Sequence, residues 1–211
     1  MHSIPNYHFN EDTRLNIYNN LSNFEDVRQT LEGYKHAAVA VTISENANEC
    51  SVIVTRRSSK LKEHSGQWAL PGGRIDDGEN CIEAALRELK EEINLNLGPQ
   101  QVLGTLDDYL TRSGYVITPV VVWTNNTIEE MKPNPGEVES IHPFTFTELA
   151  RLDSPNLESI PQSDRQVLSM NYYDDVIYAP TAAMLYQFRE VAINGKPTKV
   201  LDYDQPLFAW N

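Results

Sequence analysis

The chain has 211 residues, 40% of them hydrophobic, and a formal net charge of −13. That length suits one domain of about 150 residues with extensions, enough to bury a core, and the acidic balance excludes general nucleic-acid binding, which needs a basic footprint. No run of residues is long enough to span a membrane, and the opening MHSIPNYHFNEDTR lacks the basic start and apolar run of an export signal, so a cytoplasmic protein with no membrane partner is expected.

Residues 1–20 read as polar and irregular. A helix is predicted from Ser22, where Ser22 and Glu25 fit a capping box, Phe24, Val27 and Leu31 form an apolar stripe, and Gly33 ends it. HAAVAVTI (36–43) reads as a buried strand, 45–49 as a turn, and SVIVT (51–55) as its antiparallel partner. Pro71-Gly72-Gly73 then turns into an acidic loop and a helix containing RELKEE (87–92). Strands are predicted over 101–109 and 114–124, and Pro119 within the second places it at an edge or a bulge. Asn134-Pro135-Gly136 is a turn before a strand over 138–144. Short and longer helices follow at 147–152 and 181–193, the latter stopped by Asn194-Gly195. There is no internal repeat. Strands on either side of a central helix, with another helix at the far end, predict an α/β/α sandwich.

The central helix carries the chemistry. At about 100° per residue, Ile82, Leu86, Leu89 and Ile93 fall within a sector roughly 60° wide that faces a core, and Glu88, Glu91 and Glu92 occupy a flanking sector about 100° wide. Carboxylates at such spacing repel one another unless something positive lies between them, so they read as ligands for a hard divalent cation. The bland alternative is a solvated acidic face. EF-hand spacing is absent from Asp76-Asp77-Gly78-Glu79, and no HEXXH or CXXC exists, which leaves Mg²⁺ or Mn²⁺ with oxygen ligands. Cys50 and Cys81 read as reduced thiols.

This segment resembles the Nudix hydrolases. Gly73, Glu79, Arg87, Glu88, Leu89, Glu91, Glu92 and Leu95 stand in the register of that family's signature, and Asn94 replaces its usual Gly. Asn tolerates the left-handed conformation that ends a helix, so the departure fits a cap and leaves the acidic residues alone. The resemblance implies a Nudix-type α/β/α sandwich with a mixed sheet at 34–150, flanked by an N-terminal helical extension (1–33) and a C-terminal helical extension (151–211) packed on the same domain. It also implies hydrolysis of a diphosphate in a small molecule, with Glu88, Glu91, Glu92 and the Gly73 carbonyl on the metal. Glu91, Glu92, Arg87 and Glu137 make up the expected catalytic group, Arg87 as counter-charge to the carboxylates. Either a box glutamate or Glu137 is the base, and Glu79 either binds a second metal or braces the loop.

Residues 52–73 (VIVTRRSSKLKEHSGQWALPGG) look like the motif that precedes this signature in coenzyme A diphosphatases. Thr55, Arg57, Ser58, Gly66, Pro71, Gly72 and Gly73 match, whereas Lys62 and Leu70 replace an Arg and a Phe. Arg56, Arg57, Lys60 and Lys62 form a basic cluster suited to a diphosphate plus a 3′-phosphate, since Arg grips phosphate oxygens in a fork and Lys acts as a point charge. Arg56, Arg57, Ser58, Lys62 and Gly72 are accordingly expected on the substrate. Coenzyme A or acyl-CoA, giving 4′-phosphopantetheine and adenosine 3′,5′-bisphosphate, is the implied substrate. ADP-ribose, a dinucleotide or a damaged nucleoside triphosphate is the nearest alternative, and a non-catalytic ligand-binding module a more distant one. Trp68, Tyr115 and Trp123 are candidates for stacking on substrate, against an ordinary core role. His36, His64 and His142 have no ligand spacing. The helix at 181–193 and the tail at 206–210 either extend the core or form a homodimer contact.

Overall fold

The computed structural model of the chain describes residues 7–62 and 64–210. Helix α1 (Glu11–Ser22) starts where the Asn10 side chain accepts a hydrogen bond from the Thr13 amide, and it buries Ile17 and Leu21. The helix therefore precedes the predicted one, and residues 11–20 are not irregular. Residues 24–32 form no helix, because their amides serve distant carboxylates. Val27 N–H donates to Asp107 and Gln29 N–H to Asp108, both at 2.7 Å. A helix over 22–33 would withdraw those donors from two buried acids.

The pair is a tight polar anchor. Asp107 also accepts from Gln187 and Lys199, and Asp108 from Arg28 and Thr118. Removing one member of such a buried charged network strands its partners. Asp108→Ala is expected to lower unfolding free energy by about 3–5 kcal/mol, read from a urea titration. A change within about 0.5 kcal/mol, ordinary for a surface substitution, would refute the anchoring role.

Strands β1 (Lys35–Asn46) and β2 (Glu49–Arg57) form a hairpin around Ala47-Asn48, both left-handed at φ 50° and 66°. After β3 (Trp68–Ala69) and β4 (Gly72–Arg74) comes helix α2 (Cys81–Ile93). The expected strand at 101–109 is divided into β5 (Val102–Thr105) and β6 (Tyr109–Leu110). Strands β7 (Tyr115–Trp123) and β8 (Val138–Thr145) and a short helix α3 (Phe146–Leu149) complete the central part. In the sheet the order is β3-β2-β1-β7-β5, with β8 also on β2, β4 on β1 and β6 on β7. β1 and β7 are parallel and the rest antiparallel, so the sheet is mixed.

Period-two alternation puts both faces to use. Ala38, Ala40, Ile53, Val120 and Val122 pack with Ala84, Ala85, Leu89 and Ile93 of α2. Val41, Ile43, Val52, Val54 and Val121 face the other way, into a core shared with α1 and the C-terminal segment. The result is the α/β/α sandwich. Pro119 is not on an edge, since β7 has neighbours on both sides. Its carbonyl accepts from Leu106 N, so its missing N–H points to the same side, where β5 has ended and β6 has not begun.

The C-terminal segment is not simply helical. It carries a second sheet, β9 (Asn156–Glu158), β10 (Val167–Tyr172) and β11 (Asp175–Tyr178), before helix α4 (Thr181–Phe188). A π-helical turn, Arg189–Ile193, extends α4 as far as predicted, and Gly195 follows at φ 64°. Buried Asp204 ties the tail to the loop before β7 by accepting from Arg112, Ser163 and the Gln205 amide. Burial alone would raise its pKa, but these donors hold it at about 2. Among the described residues no helix is long and apolar enough to cross a membrane.

Candidate active site

The site begins where two glycines press against other parts of the chain. Gly72 and Gly73 of β4 pair with Val39 and Ala38 of β1. A Cβ on Gly72 would lie 2.4 Å from the Ala38 carbonyl oxygen, and one on Gly73 would lie 2.2 Å from Oε1 of Glu88. The first contact needs glycine for the backbone to close. The second makes the bare Cα of Gly73 the floor on which a carboxylate of α2 rests.

Helix α2 is held at both ends. Asn80 caps its start, accepting from the Ile82 and Glu83 amides while Glu83 accepts from Asn80 N–H. Asn94 ends it in the left-handed region at φ 55°, ψ 32°. Between the caps, Arg87 dominates the electrostatics. Its guanidinium reaches both oxygens of Glu79 at 2.8 and 3.1 Å, Glu88 at 2.8 Å, Glu91 at 3.0 Å and the Arg74 carbonyl at 2.9 Å. Glu79, which also accepts from Asp76 N–H, is braced into the acidic loop, and the Arg87 hydrogen bond keeps its pKa low. Among the described residues, the hydrogen-bond partners of Arg87 are carboxylates and backbone.

The three glutamates do not form a closed cage. Among the described residues no group of three or more His, Cys, Asp or Glu side chains is gathered to hold a metal ion. Glu88 and Glu91 turn toward the fork of Arg87, which supplies the positive charge that their crowding demands. Glu92 is buried and is not among the carboxylates that Arg87 holds in the described residues. Burial first, then the charges of Glu88 and Glu137, push its pKa up to about 8 against the opposing pull of Arg57. Burial likewise raises Glu88.

The donor set nonetheless fits a hard cation. It consists of carboxylate oxygens beside the Gly73 backbone, with one carboxyl resting where a Cβ would stand and another buried at energetic cost. Glu91, whose side chain is 54% exposed, can swing from Arg87 without disturbing the core.

Glu137 lies near enough to raise the pKa of both Glu88 and Glu92. Its loop is held from two sides. Ser58 N–H donates to the Glu137 carbonyl at 2.8 Å, and Asn134 N–H donates to the Glu92 carbonyl at 2.8 Å. Ser58 itself is buried, with its hydroxyl on the Pro135 carbonyl. It therefore secures this loop.

A cavity of about 540 Å³ opens beside Gly72 and Gly73. Arg57 lines it, and its Nε is buried with no hydrogen-bond partner among the described residues. Arg56 also lines it but is committed to Asp175 of β11 at 3.2 Å, with its guanidinium 4.8 Å from the Trp68 ring centre. Trp68 Nε1 donates to the same Asp175 oxygen at 2.8 Å. Lys62 is exposed and does not line the cavity, so the expected cluster does not converge as one clamp. Tyr115 and Trp68 line the cavity, whereas Trp123 stacks on Phe9 in the core at 4.4 Å.

The sequence reading missed the far wall. Asp175, Ile177, Tyr178, Met184, Gln205 and Phe208 all line the cavity. No motif marks them, because their common location is created by the second sheet and the folded-back tail.

Comparison with known proteins accords with this geometry. The NUDIX domain family model matches residues 34–168, past the boundary expected at 150. The chain is 33% identical over 159 residues to an uncharacterized Nudix hydrolase NudL of Photorhabdus laumondii, covering 74% of this chain and 84% of that protein. A NudL of Citrobacter koseri is 28% identical over 190 residues, covering 87% and 96%. Among solved structures, a NUDIX hydrolase from Nitrosomonas europaea superposes with a TM-score of 0.53 at 19% identity, covering 80% of this chain and 77% of that one, a likeness of fold.

Proposed function

The chain belongs to the Nudix hydrolase family, and on that premise we propose that it is a Mg²⁺-dependent diphosphatase of coenzyme A or acyl-CoA. The products are 4′-phosphopantetheine and adenosine 3′,5′-bisphosphate. One observation carries the reading: a single cavity is lined both by Gly72, Gly73 and Arg57 and by aliphatic and aromatic residues. Such a cavity suits a substrate with a diphosphate and a long organic arm. The match of residues 52–73 to the coenzyme A motif supports the same choice.

Glu88, Glu91 and Glu92, with the Gly73 carbonyl, are the proposed ligands of Mg²⁺ or Mn²⁺, which supplies charge neutralisation on the diphosphate and an acidified water. Arg57, with a buried guanidinium nitrogen that has no partner among the described residues, is the proposed phosphate ligand. Arg87 holds Glu88 in its rotamer through the 2.8 Å contact. Glu137 or a box glutamate takes the proton of the attacking water as the bridging P–O bond breaks.

A specific observation favours a second reading. Arg56 is tied to Asp175, and Lys62 stands away from the cavity, which weakens the case for an extra 3′-phosphate. ADP-ribose or a dinucleotide fits a reduced clamp. A panel of coenzyme A, dephospho-coenzyme A and ADP-ribose with Mg²⁺, with products identified by mass, separates the two. The expected result is a preference for coenzyme A over its dephospho form of at least about tenfold in kcat/KM, the worth of one charge-assisted hydrogen bond. Equal rates with both, or preference for ADP-ribose, would overturn the coenzyme A assignment.

A further inference from the structure

We infer that the C-terminal segment builds a nucleobase subsite, in which Phe208 stacks on the planar ring of the substrate, Tyr178 meets it edge to face and Gln205 hydrogen-bonds its edge. The inference rests on the reading above only in taking the substrate to be a nucleoside diphosphate derivative. Tyr178 ends β11, and Phe208 lies in a tight turn over Leu207–Ala209. Their rings meet edge to face, 5.4 Å apart at 89°, yet the residues remain 41% and 56% exposed. Two large aromatic residues in contact leave a ring face open on the wall of the same cavity that reaches Gly73.

The turn that presents Phe208 is well anchored. Trp210 Nε1 donates to the Gln205 carbonyl at 2.8 Å, the Arg112 guanidinium lies 4.5 Å from the Trp210 ring centre, and Ala209 is buried. A fixed backbone with an exposed ring loses little entropy on binding. Gln205 is 3% exposed, and its side-chain oxygen accepts from Arg112 N–H at 2.8 Å. That bond fixes the carboxamide orientation and leaves its NH₂, which has no recorded partner among the described residues, to donate to a ring-nitrogen acceptor. A planar ring offers both a π-face and such an acceptor, whereas an alkyl arm offers neither.

The test measures calorimetric binding of ADP with Mg²⁺, and of inorganic pyrophosphate with Mg²⁺, to the full chain and to Tyr178→Ala, Phe208→Ala, Phe208→Leu and Phe208→Trp. Stacking on one aromatic ring is worth about a tenfold change in affinity. Phe208→Ala and Phe208→Leu should therefore weaken ADP by about tenfold, Tyr178→Ala, which removes an edge contact, by about threefold, Phe208→Trp should retain it, and pyrophosphate should bind all forms alike. In steady-state assays the defect should fall on KM more than on kcat. Full rescue by Leu would mean plain apolar contact, and equal loss of pyrophosphate would mean a general structural defect. Either result overturns the subsite, as does unchanged ADP affinity or failure of the unaltered protein to bind ADP. Hydrolysis of coenzyme A with no aromatic effect sinks the subsite and spares the reading above. The reverse pattern, with another nucleoside diphosphate derivative cleaved, spares the subsite.

Discussion

Glu92→Gln is expected to eliminate turnover while making the metal-free protein more stable. The loss should be at least about 10²-fold in kcat, as when a group stabilising transition-state charge is removed. The gain follows from burial. The Glu92 pKa is pushed up to about 8, so the folded protein keeps a proton that the unfolded chain has already released at neutral pH. A carboxyl raised in this way contributes its stability below its unfolded pKa of about 4.3, and that stability is lost as pH climbs through about 8. Glutamine has the same shape and no charge to bury. At about 1.4 kcal/mol for each pH unit between those limits, the metal-free Gln variant should exceed the parent by a few kcal/mol at pH 9, and by little at pH 4. Urea titrations at both pH values, without metal, read the difference. Equal stability at pH 9 would contradict the burial argument, and an active Gln variant would remove Glu92 from the chemistry. Glu91→Gln offers a control. Glu91 is largely exposed and, among the described residues, its side chain hydrogen-bonds only Arg87, so turnover should collapse with the fold unchanged.

The two glycines should fail in different ways. Gly72→Ala drives a methyl group to 2.4 Å from the Ala38 carbonyl oxygen and 2.6 Å from the Val39 Cα, atoms of a central strand that cannot yield. Its expected effect is a loss of about 3 kcal/mol in stability, at the upper end of overpacking. Gly73→Ala meets the Glu88 carboxylate first, at 2.2 Å, and that side chain can move aside. The fold should survive, but a displaced ligand should lower kcat by about 10²-fold, the scale of an ångström-level misplacement. Thermal midpoints and rates on both variants distinguish them. A fully active Gly73→Ala would show that Glu88 need not rest on this glycine.

Local chemistry made the centre of the molecule legible. Ile82, Leu86, Leu89 and Ile93 announced the face of α2, and Asn94 signalled its left-handed end. The β1–β2 hairpin was readable because Asn48 favours the positive φ that its turn requires. The β10–β11 hairpin was not, since its turn residues are Tyr173 and Asp174, with Tyr173 at φ 50°. Phe24, Val27 and Leu31 carried helical spacing, but the backbone there answers to Asp107 and Asp108, about 80 residues away. The site followed the same rule. The acidic residues and their Arg87 counter-charge were evident from spacing. Their orientation, the diversion of Arg56 to Asp175 and the wall formed by Gln205 and Phe208 arise from contacts between segments far apart in the chain.

The proposal stands on Glu88 and Glu91 exchanging part of their present Arg87 contacts for a divalent ion that Glu92 also ligates. Titration of Mn²⁺ into the metal-free protein, followed by the loss of the free-ion paramagnetic resonance signal, measures this directly. The account predicts saturable binding that weakens by about tenfold or more in both Glu91→Gln and Glu92→Gln, the scale of perturbing a metal-site group. Binding that is absent in the parent, or undiminished in both variants, would contradict it.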